Sequence, residues 1–354
     1  MPTPRPAAVA LAALLRLTAA GCADPGSGSG SGSGSRKADA AAGNASPAAR
    51  GAYPVTLENC GLKQRFDKPP GRVVVMNGAS VAEVSTLLAL GQGDRIVSNQ
   101  QSYGMSEVPG RAEEIRKLPT GGVKQNEAFD IPREAMIGLR PDLVLSVMAH
   151  GFDAANGFAT REQLDEIGAR SYVSPEGCGR DNLNLTIDDS YTLLRDLGKV
   201  FGVEDRAEKL IATARRNIAE VAEKVTGTTR PKVMVVFANM TMGSNEFSAV
   251  AAHGIYNDIL AEAGGDNAFA SASKSSFADL SKEQVAATDV DALVVVSYND
   301  PDPTAYAKKL LKEFPQWSAA RQNKFVVLSD SMHLGPSNDV AVRRIAGMLH
   351  PEAF

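Results

Sequence analysis

Short apolar runs alternate with longer amphipathic segments from Arg72 onward, and this alternation predicts an α/β fold. In the first half of the chain, four runs rich in Val, Leu and Ile have the length and composition of buried strands. They cover residues 72–76, 95–97, 142–147 and 171–173. Two segments with helical spacing, 79–90 and 161–167, separate them and end at Gly91 and Gly168. This half therefore predicts one sheet flanked by helices.

The second half repeats the pattern after a long segment without strand signals. Strands are predicted at 232–237, 292–297 and 325–329, and helices at 255–263, 281–287 and 303–313. Between the halves, residues 187–225 carry apolar side chains at helical spacing, with Gly198 and Gly202 as potential breaks. We therefore expect two lobes with central, mostly parallel sheets, joined by a long connecting helix that permits little lobe motion. The expected boundaries are 51–185 for the N-terminal lobe, 186–228 for the connector and 229–354 for the C-terminal lobe.

Composition narrows the class of protein further. The chain has 354 residues, of which 44% are hydrophobic and 22% charged, and its formal net charge is −4. These values are typical of a globular protein with about two domains and exclude collagen-like and multi-span membrane classes. Because there is no dense Lys/Arg run, we expect no nucleic-acid partner.

The N-terminus has the pattern of an export signal. Arg5 precedes an apolar run at 7–15, and small residues at 19–21 lead to Cys22. This resembles the bacterial lipobox, which predicts a signal peptide at 1–21, lipidation of Cys22 and membrane attachment through the lipid alone. A plain secretory signal with an incidental cysteine is the alternative. Residues 22–50 are rich in Gly, Ser and Ala and are expected to form a flexible linker.

Cys60 and Cys178 remain once Cys22 is assigned to lipid, because the chain has three cysteines. In an exported protein such a pair favours a disulfide over a metal or redox site. Two free buried thiols are the alternative.

Motifs along residues 53–350 resemble one family when they are taken together and in order. They are VTLENCG (55–61), FDKPPGRVVVM (66–76), LLALG (87–91), DRIV (94–97), LRPDLV (139–144), LGKVFG (197–202), AGGDN (263–267), SKEQV (281–285) and AVRRIA (341–346). They resemble the class III substrate-binding proteins of ABC importers, which deliver ferric siderophores, haem or cobalamin. The resemblance implies a binding protein that catalyses nothing, acts as a monomer and hands its ligand to a permease served by separate ATPase subunits.

In this family one surface carboxylate on each lobe meets arginines of the permease. By position, Glu134 matches the carboxylate of the first lobe. Glu262 is nearest to that of the second lobe, with Asp258 as an alternative.

Ligands of open α/β sheets meet the loops beyond the carboxyl ends of the strands. This rule, together with the family's aromatic position at Phe277, selects the candidate ligand-binding residues. They are Asn77, Gly78, Ser98, Gln101, Tyr103, Met148, His150, Asn239, Met242, Phe277, Tyr298, Met332 and His333.

These loops carry few charges, and Lys124 and Lys274 are the only basic candidates near them. A tricatecholate ferric complex, with about three negative charges, would need a cluster of Arg and Lys side chains. We therefore expect a large, nearly neutral Fe(III) chelate, of which a ferric hydroxamate is the favoured example, with a corrinoid or haem as alternatives. The four histidines lack metal-site spacing, so no bare metal site and no resident cofactor are expected. His150 and His333 could still contact a chelate.

The enzyme class is not supported. The chain has no Gly-x-Ser-x-Gly elbow, Walker loop, strand-linked Gly-x-Gly-x-x-Gly or His-Glu-x-x-His motif. A ligand sensor without transport function is a further alternative, for which charge reversal at Glu134 and Glu262 would have no effect.

Overall fold

In a computed structural model of the protein, the described residues are 53–77, 80–102, 105–179, 184–238, 240, 243–297 and 300–354. Contacts group Pro47–Phe354 into one compact unit. Over the described ranges, no helix combines the length and apolar character needed to cross a membrane. The predicted signal peptide, Cys22 and linker lie outside the described residues.

The N-terminal lobe contains a hairpin and a parallel sheet. The hairpin pairs β1 (Val55–Asn59) with β2 (Leu62–Phe66). The sheet strands are β3 (Val73–Val75), β4 (Ile96–Asn99), β5 (Leu143–Ser146) and β6 (Arg170–Val173), in the order β4-β3-β5-β6. The helices are α1 (Ala82–Ala89), α2 (Arg111–Arg116), α3 (Arg133–Gly138) and α4 (Arg161–Glu166). All four predicted strands are present, and the two predicted helices correspond to α1 and α4.

The connecting segment consists of two helices. α5 spans Ile187–Phe201 and α6 spans Glu204–Val225. The break falls at Gly202, whose φ of 65° lies in the left-handed region that favours glycine. The predicted helical connector is therefore present, but it is interrupted at one of the two glycines and does not form a continuous rod.

The C-terminal lobe contains a mixed sheet of six strands. They are β7 (Lys232–Phe237), β8 (Phe247–Val250), β9 (Asp266–Asn267), β10 (Phe277–Leu280), β11 (Ala292–Val296) and β12 (Phe325–Leu328). Strands β7, β11 and β12 are parallel, whereas β8 runs antiparallel to both β7 and β10. The helices are α7 (Ile255–Glu262), α8 (Lys282–Ala287), α9 (Pro303–Glu313), α10 (Ser318–Gln322) and α11 (Asn338–Leu349).

One hydrophobic core runs through both lobes. It includes Leu143 of β5, Leu197 of α5, Val221 of α6, Val294 of β11 and Ile345 of α11, all of which are fully buried. Each sheet packs its other face in a separate cluster. Moving the lobes apart would expose this shared core to water, which opposes large lobe motion.

A second set of contacts joins the lobes directly. We call segments 105–107 and 329–331 the latch. Asp330, 3% exposed, accepts hydrogen bonds from Ser106 Oγ (2.5 Å) and from the Glu107 backbone N–H (3.1 Å). In return, Glu107 Oε2 accepts from the Ser331 N–H (2.9 Å), and Ser329 Oγ donates to the carbonyl of Met105 (2.9 Å).

The predicted disulfide is present, with the sulfur atoms of Cys60 and Cys178 2.02 Å apart. It links the β1–β2 hairpin to the loop that follows β6. The amide of Asn59 strengthens this link, because it donates to the carbonyl of Val173 and accepts from its N–H, both at 2.8 Å.

Candidate ligand-binding site

A cavity of about 590 Å³ lies between loops of the two lobes. The N-terminal lobe contributes the loops after β5 and β6, and the C-terminal lobe contributes the start of α7, the start of β10 and the loop after β12. The lining residues are Met148, Ala149, His150, Glu176, Gly177, Gly179, Leu185, Gly254, Ile255, Tyr256, Ser276, Phe277 and His333. Its volume is in the range of sites for drug-sized ligands.

The N-terminal wall depends on a close approach of two loops. Gly177 lies in a 3-10 turn, Pro175–Gly177, and packs against the backbone of Val147 and Met148. A Cβ at position 177 would overlap the carbonyl oxygen of Val147. Only glycine therefore lets the loop after β6 hold Glu176 beside Met148 at the cavity wall.

The C-terminal wall is an aromatic cluster. Phe237, at the end of β7, is buried behind the wall, with its ring centroid 5.7 Å from Tyr256 and 5.5 Å from Phe277. The ring of His333 lies 6.1 Å from that of Phe237 and 6.5 Å from that of Tyr256. Edge-to-face packing of this kind fixes the rings that face the cavity.

The polar side chains in the wall include Glu176, Tyr256 and His333, none of which makes a side-chain hydrogen bond to another described residue. Burial raises the pKa of Glu176 to about 8, and the neighbouring Glu83 adds to this shift. Burial lowers the pKa of His333 to about 4, against a smaller opposing effect of Glu107. Burial also raises the pKa of Tyr256, and Glu176 contributes. Near pH 7 all three groups are thus neutral and free to bind a ligand.

No Lys or Arg belongs to the described lining. The wall includes aromatic rings, a thioether, aliphatic side chains and hydrogen-bonding groups. Such a surface suits a large ligand of low net charge. The described residues also contain no group of three or more His, Cys, Asp or Glu side chains arranged to hold a metal ion.

The structure brings together four of the predicted ligand-binding residues: Met148, His150, Phe277 and His333. Met148 and His150 follow β5, Phe277 begins β10, and His333 follows the 3-10 turn Asp330–Met332. The strand-end rule therefore located part of both walls.

Four other predicted residues do not line the cavity. Three of them are fully buried: Ser98, Gln101 and Met332. Ser98 donates a hydrogen bond to the Thr120 carbonyl (2.8 Å), Gln101 donates one to Glu83, and Met332 packs in the shared core. They support the loops instead of facing the cavity. The fourth, Asn77, donates its side-chain N–H to a backbone carbonyl 2.8 Å away. Gly78, Tyr103, Asn239, Met242 and Tyr298 lie outside the described residues.

Among the wall residues that were not predicted are two with titratable side chains, Glu176 and Tyr256. Glu176 lies in the turn that follows β6, a predicted strand, so its position at a strand end is the sequence signal that marks it. Tyr256 follows β8, whose mixed sequence Phe247–Val250 gives a weak strand signal. Nothing in the sequence marks its hydroxyl as part of the wall.

The predicted docking carboxylates are both accessible. Glu134 is exposed in the first turn of α3 and pairs with Arg133 at 2.7 Å, which lowers its pKa. Glu262 lies half-buried in a second cavity of about 400 Å³ among α5, α6 and α7. Asp258, the alternative, already accepts the N–H of Ile187 at 2.7 Å, which favours Glu262.

Comparison with known proteins agrees with this architecture. The periplasmic binding protein family model matches residues 73–332. No curated protein sequence matches the chain. Among solved structures, an ABC-type Fe3+-hydroxamate transport protein from Saccharomonospora viridis is similar, with 25% identity, a TM-score of 0.65, and coverage of 84% of this chain and 99% of that one.

Two further structures share the fold. A periplasmic binding protein from Veillonella parvula has 18% identity, a TM-score of 0.66, and coverage of 84% of this chain and 97% of its own. The periplasmic heme-binding protein RhuT from Roseiflexus sp. RS-1 has 22% identity, a TM-score of 0.59, and coverage of 80% and 99%. The family model covers most of the chain, and the two-lobed fold and the inter-lobe cavity agree with it. The chain therefore belongs to the periplasmic binding protein family, the substrate-binding proteins of ABC importers, which are not enzymes.

Proposed function

We propose that this extracytoplasmic binding protein captures a nearly neutral Fe(III) chelate of the ferric hydroxamate type in the inter-lobe cavity and delivers it to its ABC permease. The observation that carries the proposal is a described cavity wall without Lys or Arg. Glu176 and His333 are neutral near pH 7 because of their shifted pKa values, and no described lining residue is Lys or Arg. The similar structure from Saccharomonospora viridis, named for Fe3+-hydroxamate transport, supports the same ligand class.

The lack of Lys and Arg in the described wall distinguishes the ligand classes. A ferric tricatecholate carries about three negative charges and loses its hydration on entering a cavity, which must be offset by cationic groups. A neutral ferric trihydroxamate requires only aromatic contact and hydrogen bonds. Phe277, Tyr256 and Glu176 provide these two kinds of interaction.

A thermal-shift panel on Pro47–Phe354 tests the proposal, with ferrichrome, ferric enterobactin, haem and cobalamin as probes. A ligand at about 100 times its Kd stabilises the native state by about 2.7 kcal/mol, which raises the Tm by roughly 4 °C for a protein of this size. We expect this shift with ferrichrome. A shift with ferric enterobactin alone would contradict the charge argument, and no shift with any probe would favour a sensor.

Haem is the second candidate, because Tyr256, Phe277 and His333 form an aromatic surface on which a flat macrocycle could pack. Absorption spectroscopy distinguishes it from ferrichrome: haem bound in the cavity would give a shifted Soret band that is lost in Phe277→Ala. Cobalamin binding would move the proposal to corrinoids.

We further propose that Glu134 and Glu262 dock on the permease, and that Cys22 carries the lipid anchor. Charge reversal at both carboxylates should abolish uptake in cells and leave ligand affinity unchanged, since neither residue lines the ligand cavity. A sensor would be unaffected by this change. Cys22→Ala should release the protein from the membrane fraction.

A further inference from the structure

Glu176 is an acidic residue in the cavity wall with no Lys or Arg in the described lining. We infer that Glu176 presents a protonated carboxylic acid to the cavity and donates its O–H to an oxygen of the bound chelate, so that it selects ligands with acceptor-rich surfaces. The inference rests on the proposed function and names a specificity-determining residue of the same site.

The position of Glu176 is fixed by its neighbours. The turn Pro175–Gly177 packs against the backbone at Val147, where a Cβ on Gly177 has no room. The next residue, Cys178, is disulfide-bonded to Cys60. The carboxyl group is therefore held at the wall before a ligand arrives, and little conformational entropy is lost when it binds.

The groups around Glu176 disfavour its ionised form. Glu83 on α1 lies behind it, fully buried and hydrogen-bonded to Ser174 and Gln101. Tyr256 of α7 lies on the cavity side, and His150 and His333 complete the titratable groups of the described wall. The described lining contains no Lys or Arg that could pair with Glu176. Burial, together with the nearby Glu83, raises the pKa of Glu176 to about 8.

A carboxylic acid and a carboxylate act oppositely on such a ligand. The oxygens of a ferric trihydroxamate accept hydrogen bonds, so a neutral acid donates one O–H to them. The ionised carboxylate has no proton to donate and repels the same oxygens. Because Glu176 lines the cavity and makes no hydrogen bond to another described residue, its O–H is available to a ligand that enters the cavity.

Ferrichrome binding to Pro47–Phe354, measured by calorimetry at about pH 6 and about pH 9, tests the inference. If only the protonated form binds, about one tenth of the protein is competent at the higher pH, so the Kd of the wild type should rise about tenfold. Glu176→Gln keeps a donor and cannot ionise, so its Kd should be nearly the same at both pH values. Glu176→Met lacks the donor and should bind about 2- to 12-fold more weakly at the lower pH.

Thermal unfolding of each variant establishes that it is folded, and the exposed Glu352→Gln should keep the wild-type profile. A pH profile of Glu176→Gln equal to that of the wild type would overturn the inference and leave the proposed function intact. Equal affinity of Glu176→Met and the wild type for ferrichrome at the lower pH would also overturn the inference and leave the proposed function intact. If the wild type binds no ferrichrome at either pH, the proposed function fails and the inference fails with it.

Discussion

The latch between the lobes predicts that stability falls as pH rises from about 5 to about 7. Asp330 is buried against Glu107. Burial is the main cause that raises the pKa of Asp330 to about 7, and the neighbouring carboxyl group of Glu107 is the next. Ser106 and the Glu107 N–H hydrogen-bond to it, while Arg344 approaches Glu107 only to 3.9 Å. No nearby cation in the described residues therefore compensates an ionised Asp330.

The direction in which the free energy of unfolding changes with pH follows from proton binding. In the unfolded chain an Asp releases its proton near pH 4, whereas native Asp330 holds it to about pH 7. The native state thus binds more protons across this interval, and the free energy of unfolding must fall as pH rises. For one group with these two pKa values, the loss between about pH 5 and about pH 7 is about 2 kcal/mol.

Asp330→Asn isolates this effect, because the amide keeps the shape and an acceptor for Ser106 but cannot ionise. Burial also raises the pKa of Asp130, to about 6, and that of Glu83, so the wild-type slope alone would not identify the group responsible. The measured quantity is the difference in unfolding free energy between Asp330→Asn and the wild type, obtained from urea titrations at the two pH values.

As pH rises from about 5 to about 7, the unfolding free energy of Asp330→Asn should increase by about 2 kcal/mol relative to that of the wild type. This change corresponds to roughly 3 °C in Tm. The exposed Glu352→Gln serves as the control and should parallel the wild type. A difference that stays constant within about 0.5 kcal/mol would refute the reasoning, since Asp330 would then not be the titrating group.

Three further predictions concern the cavity and its supports. Replacing both Cys60 and Cys178 with Ser removes a link across 118 residues and should lower the unfolding free energy by about 2–5 kcal/mol, measured by urea titration. Gly177→Ala places a Cβ against backbone and should lower both Tm and ferrichrome affinity, whereas at Gly179 a Cβ meets nothing within 4 Å, so Gly179→Ala should leave the Tm unchanged. Phe277→Ala removes an aromatic side of the wall and should raise the ferrichrome Kd roughly tenfold, by calorimetry, without lowering the Tm by more than about 3 °C.

Local sequence determined much of the fold. The apolar runs at β5, β7 and β11 gave correct strands, because buried parallel strands need continuous apolar residues on both faces. Helix α9 spans Pro303–Glu313 as predicted, since Asp302 caps its N-terminus and Pro303 suits the first helical position. The disulfide also followed from the cysteine pattern.

The weaker elements were missed because their signals are not local. Strand β10, Phe277–Leu280, is short and partly polar, and it is stabilised by antiparallel pairing with β8. Gly198 and Gly202 were equal candidates for the helix break, and the packing of α5 against α6 selected Gly202.

The chemistry of the site was decided by the tertiary structure. Glu176 and Tyr256 are 80 positions apart in sequence, and only the packing of the two lobes places both on one cavity. The pKa of Glu176 depends on burial and on Glu83, a residue of another helix. The sequence by itself specified the family pattern, the strand-end loops and the low charge of the ligand site. The tertiary structure decides which polar groups converge there. It also decides their protonation state, because distant segments bury these groups, and no local pattern of residues encodes that desolvation.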